Sequence, residues 1–72
     1  MALRGFDFLK TGRNIRGLTQ TEVAEIYGVS ERTYQRWERG DVRVPFDDVS
    51  AICAQVFKLG IDDIRAMIDG EE

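Results

Sequence analysis

The 72-residue sequence contains no histidine, one cysteine and one proline. Each scarcity removes a class of chemistry. Zinc sites draw mainly on Cys and His, and serine or cysteine nucleophiles need an imidazole base. Neither arrangement can be assembled around Cys53 alone. A single thiol cannot close an internal disulfide, which fits a reducing compartment. No apolar run approaches the roughly 18–20 residues that a membrane span needs. The opening Met-Ala-Leu-Arg-Gly-Phe-Asp-Phe-Leu lacks the apolar core and small-residue cleavage site of a secretory signal. A cytoplasmic protein is expected. No Gly-x-Gly-x-x-Gly loop is present, so neither cofactor, metal nor enzymatic activity is expected. Carboxylates remain, in the pairs Asp47/Asp48 and Asp62/Asp63. Adjacent helical residues point about 100° apart, so neither pair converges on one ion. Both stand where helices are expected to begin, and a positive helix end favours them there.

The residues present describe a small globular domain. Hydrophobic residues make up 43% and charged residues 32%, ordinary values for a folded protein. A chain this short buries only about 60% of its unfolded surface, so one domain spanning 1–72 with one core is expected. Ten Lys and Arg face thirteen Asp and Glu, a net charge of −3, and the imbalance is not uniform. Residues 1–43 carry +2 and residues 44–72 carry −5. A polyanionic partner should therefore meet the first half, while the acidic second half is a candidate surface for a protein partner.

Helix signals recur at short intervals, and no strand-type alternation persists. The clearest start is Thr19, which can cap the backbone of Glu22 while Glu22 reaches back, with Leu18 and Val23 as a hydrophobic staple. This second helix runs to about Tyr27, and Gly28 closes it. Ser30 caps a third helix, Glu31 to Arg39, ended by Gly40. Beyond Pro45, Val49, Ile52, Cys53, Val56 and Phe57 follow the spacing of one buried helical stripe. Cys53 lies within it and is expected to be an inert buried thiol. Gly60 separates this helix from a last amphipathic segment, Ile61 to Ile68, and Gly70-Glu71-Glu72 is expected to fray. Ile64, Met67 and Ile68 offer more apolar surface than a final helix readily covers within one chain, a candidate dimer face. A first helix is expected over residues 7–16, begun by Asp7. Gly12 in its interior costs about 1 kcal/mol against alanine. The fold expected is all-α, with five short helices around one core.

Two short helices joined by a glycine turn form a unit whose second helix enters the DNA major groove. The stretch GLTQTEVAEIYGVSERTYQRWERG, residues 17–40, resembles the Cro and lambda-repressor family, also called XRE-type. The likeness continues through Pro45 to Leu59-Gly60-Ile61-Asp62-Asp63-Ile64, while Gly12 departs from it, standing where an apolar residue is usual. Ala24 suits the close crossing of the two helices, and Val29, Tyr34 and Trp37 form the inward side. Arg32, Arg36 and Arg39, spaced i, i+4, i+7, share an outward stripe.

The resemblance implies a role for each outward residue. Glu31, Arg32 and Arg36 occupy base-contacting positions, with Gln35 beside them. Arginine can donate two parallel bonds to guanine, and Glu31 can accept from cytosine N4. Gln20 matches a phosphate-binding glutamine at a helix start, and Arg39 and Arg43 match backbone-contacting positions. Arg13 and Glu38 match a pair linking the first helix to the end of the third. The expected function is a sequence-specific double-stranded DNA-binding regulator, a repressor of the phage or mobile-element kind acting as a homodimer on a palindromic operator. No effector-sensing domain is expected. Two other readings stay open. An antitoxin of the same fold would bind a toxin as well as its operator, and a protein-interaction module would use the acidic second half without salt-dependent DNA affinity.

Overall fold

Capping side chains break the backbone into helices, and the breaks fall where short-range chemistry sets them. The computed structural model describes residues 4–70. The elements are α1 (Gly5–Arg16), α2 (Gln20–Tyr27), α3 (Glu31–Arg39), α4 (Phe46–Ile52) and α5 (Ile61–Gly70), with a π-helical stretch, Cys53–Phe57, continuing α4. No strand occurs among the described residues, so the all-α expectation holds.

The second and third helices begin and end as expected. Thr19 Oγ1 accepts from the Glu22 N–H at 3.1 Å, and Glu22 Oε1 accepts from the Thr19 N–H at 2.8 Å. This reciprocal box satisfies backbone donors at the start of α2. Gly28 (φ 92°) ends α2 in the left-handed conformation that glycine adopts without steric cost. Ser30 Oγ then accepts from the Thr33 N–H at 3.1 Å and opens α3.

The first helix corrects two expectations. It starts at Gly5 rather than residue 7, and Asp7 lies inside the first turn, where its carboxylate accepts the Arg4 N–H at 2.9 Å. Asp7 therefore closes the helix start from within. Gly12 is more than a tolerated weak point. It is buried against the π-helical stretch, and a Cβ there would lie 2.7 Å from Phe57 Cε2 and 3.0 Å from Cγ. The missing side chain is what lets α1 approach Phe57.

The stripe beyond Pro45 is buried as the spacing predicts, with Val49, Ile52, Cys53 and Phe57 inside and Val56 partly covered. Its backbone departs from a single α-helix by widening into the π turn at Cys53. The element stops at Lys58, which takes a left-handed conformation (φ 56°) two residues before Gly60. The Leu59 N–H returns to the Cys53 carbonyl at 2.9 Å, and Arg16 Nε donates to the Phe57 carbonyl at 2.6 Å. These donors satisfy carbonyls that a helix end leaves open.

One cluster joins the elements, including Leu9 of α1, Val23 and Ala24 of α2, Tyr34 of α3, the α4 stripe and Ile64 of α5. Burial pushes the Cys53 thiol up to about 11, consistent with an inert core thiol. Ile64 is covered within the chain, whereas Met67 stays exposed, which narrows the apolar surface expected on α5. Asp47/Asp48 and Asp62/Asp63 occupy the first turns of α4 and α5. Asp48 also accepts the Tyr27 hydroxyl at 2.6 Å, tying the end of α2 to α4. Gly70 is the last residue of α5, and Glu71 and Glu72 of the segment expected to fray lie outside the described residues. Among the described residues no acidic cluster could hold a metal ion, and no helix is long and apolar enough to cross a membrane.

Candidate nucleic-acid interface

Helix α3 is short and strongly two-faced. Tyr34 and Glu38 are buried behind it, with Trp37 partly covered, while Glu31, Arg32, Arg36 and Arg39 are exposed in front. Nine residues of helix cannot hold an orientation through local hydrogen bonds alone, so its position depends on the rear contacts.

The chief rear contact is ionic. Arg13 Nη2 lies 2.6 Å from Glu38 Oε1, and Nε donates to Oε2 at 2.9 Å. Nη1 of the same guanidinium donates to the Leu18 carbonyl at 3.1 Å, and Gln20 Nε2 donates to Glu38 Oε1 at 3.3 Å. One carboxylate of α3 therefore gathers donors from α1 and from the start of α2. Glu38 is only 1% exposed. Burial, the largest single effect, would raise its carboxyl pKa, but the hydrogen bonds and charge of Arg13, with the neighbouring Tyr34 hydroxyl and the Gln20 amide, together outweigh it and hold the pKa below its ordinary value. The same carboxylate, against the opposing effect of burial, raises the Arg13 guanidinium. The Tyr34 hydroxyl is buried without a hydrogen-bond partner among the described residues, and desolvation pushes the phenol pKa well up. The link expected between Arg13 and Glu38 is present.

The candidate reading residues share the exposed front of α3, except Gln35, which is half-buried. Arg32 and Arg36 have no ion-pair partner among the described residues. Glu31 accepts a hydrogen bond from the Thr21 hydroxyl of α2, which fixes its carboxylate at the front edge of the helix. The candidate backbone residues are more dispersed. Gln20 stands at the start of α2 with its amide turned toward Glu38, which leaves its second N–H available. Arg39 lies 3.4 Å from Asp41, both well exposed; such a pair is weak and exchangeable. Arg43 is exposed on the connection after α3.

Sequence reasoning missed the contacts that join elements. The Thr21 to Glu31 bond spans ten residues, the Tyr27 to Asp48 bond spans 21, and Arg16 reaches Phe57 across 41. Only the polar ends of Tyr27 and Arg16, each at the close of a helix, hinted at such partners.

A helix presented outward by a buried ion pair, with arginines in front and a three-residue turn before it, defines a DNA-binding helix-turn-helix domain. A helix-turn-helix family model matches residues 9–64, and the chain belongs to that family, in its Cro and lambda-repressor-like, XRE-type form. No curated protein and no solved structure matches the chain. Its family makes it a DNA-binding regulator.

Proposed function

We propose that this regulator represses transcription by binding a palindromic operator as a homodimer, in the manner of the phage and mobile-element repressors it resembles, in the cytoplasm. The observation that carries the reading is the division of α3. Its rear is held through Glu38, which leaves Arg32 and Arg36 exposed on the front. In this assignment Glu31, Arg32, Gln35 and Arg36 meet base edges. Gln20, Arg39 and Arg43 hold the phosphate backbone.

The chemistry of each group supports its role. Arg32 and Arg36 each have two parallel N–H donors for guanine O6 and N7. Glu31, already accepting from Thr21, has acceptor capacity left for a cytosine amino group and repels acceptor edges. Residues 1–72 act as a single domain, and one such helix reads only a short half-site. Two-fold pairing supplies the remaining affinity by reading twice. The exposed Met67 and the partly covered Ile68 of α5 are the apolar groups offered for that pairing.

Selection of sites from randomised duplex DNA tests the reading. A palindromic consensus is expected, with half-site centres about 10 bp apart or at a longer helical repeat. Sedimentation on the selected duplex should show two chains bound. A consensus without symmetry, or a single chain on the full site, would overturn the dimer.

A further inference from the structure

Beside the C-terminal end of α3 lies a groove of about 320 Å³ that opens outward from the core and includes none of the candidate base-reading residues of α3. Its walls include Phe6 of α1, Trp37 of α3, and Val42, Val44 and Phe46 around the connection to α4. Arg4 and Arg43 are the charged residues of the lining, and no carboxylate belongs to it. The groove is built on fixed elements. Gly5 is pressed against the connection, where a Cβ would lie 2.6 Å from Val44 Cγ1 and 3.0 Å from Val49 Cγ2.

Exposure and charge together indicate what fits. Phe46 is 70% exposed and Val42 42% exposed, a large apolar cost for a surface that serves only the chain's own packing. Among the described residues neither Arg4 nor Arg43 has a carboxylate partner. Aromatic residues and arginine are the types that dominate binding energy at protein interfaces. The volume lies at the lower end of the roughly 300–1,000 Å³ typical of ligand pockets, which suits one large side chain. We propose that this groove docks an acidic peptide segment of a partner protein. One aromatic or aliphatic side chain anchors between Trp37 and Phe46, and flanking carboxylates pair with Arg4 and Arg43. Guanidinium and carboxylate can form paired, charge-assisted bonds in such a setting. The docking uses none of the base-reading residues of α3 but shares Arg43 with the phosphate contact assigned above, so peptide and DNA would compete for that one side chain.

Trp37 is the only tryptophan in the chain, so its fluorescence and its indole N–H resonance report on the groove directly. The probe is a capped hexapeptide with a central Leu-Phe pair flanked on each side by two aspartates. It is titrated into the full chain without DNA, alongside a version with lysines for aspartates and one with alanines for the central pair. The acidic Leu-Phe peptide should perturb Trp37 saturably and bind more weakly as salt rises. Both control peptides should bind at least about tenfold more weakly. F46A and the double variant R4Q/R43Q change only exposed side chains and should each weaken the acidic peptide by about fivefold or more. Equal binding of the lysine version, no perturbation of Trp37, or unchanged affinity in both variants would overturn the proposal. So would a Trp37 change that follows protein concentration instead of peptide, since a second copy of the chain would then be the occupant.

Discussion

Replacing Arg13 with methionine keeps an aliphatic stem of similar reach but leaves the Glu38 carboxylate, 1% exposed, without its cation. Removing one partner of a buried pair costs about 3–5 kcal/mol, because the remaining charge is left uncompensated. A domain of 72 residues has a total stability of roughly 4–11 kcal/mol at ordinary values per residue. The substitution should therefore remove a large share of the stability at neutral pH. The pH dependence identifies the cause. In the wild type the Glu38 pKa is held below its ordinary value, so its contribution is complete above about pH 4.3 and is lost as the pH falls. In R13M burial acts without the guanidinium and raises the folded-state pKa above the unfolded one. Protonation then relieves the variant as the pH falls through that raised value. Urea unfolding of both proteins at a series of pH values should show the stability gap shrinking from about 3–5 kcal/mol near pH 7 as the pH falls through the variant's raised value, and closing fully only below about pH 4, where Glu38 is protonated in the wild type as well. Adding E38Q to R13M should recover much of the loss at pH 7. A gap that is constant with pH, or below about 1 kcal/mol throughout as for an exposed pair, would refute a buried pair as the fixing of α3.

Gly12→Ala should destabilise by about 1–2 kcal/mol in thermal or urea unfolding, because overpacking against Phe57 exceeds the helix-propensity gain of about 1 kcal/mol; Phe57→Leu in the same chain should reduce the penalty. Tyr27→Phe should cost about 1 kcal/mol through loss of the bond to Asp48, measured by urea unfolding at pH 7. The Asp48 carboxylate, aided by burial, pushes the Tyr27 phenol up to about 12. That contribution is present below about pH 10 and fades as the pH climbs toward 12.

The parts of the fold legible in the sequence are those fixed within a few residues. Thr19, Glu22, Ser30, Gly28 and Gly40 satisfy or end their own helices through contacts three to five residues away, and α2 and α3 fall at their expected boundaries. Gly12 shows where local reasoning stops. A propensity scale records its cost, but Phe57, which makes the small residue necessary, is 45 positions away in sequence. The π turn is similarly hidden, because the apolar spacing of residues 49–57 fits a continuous helix although the backbone widens from Cys53 onward. On the site, the outward stripe of Arg32, Arg36 and Arg39 was readable from periodicity, and the Arg13 to Glu38 link from family likeness. Gln20 turned toward Glu38, Thr21 held to Glu31, and the groove around Trp37 arise from tertiary placement, for which no short pattern codes.

If α3 reads bases while the connection after it holds phosphate, Arg36→Ala and Arg43→Ala should impair binding in different ways. Wild type and both variants are titrated against the selected operator and a scrambled duplex at several salt concentrations. Arg36→Ala should lose about 1–3 kcal/mol of base discrimination and flatten preference at one position of each half-site. Arg43→Ala should weaken both duplexes alike, preserve their ratio and reduce the salt slope by about one unit per lost phosphate contact. If Arg36→Ala keeps the full operator-to-scrambled ratio while Arg43→Ala loses it, α3 is not the reading element.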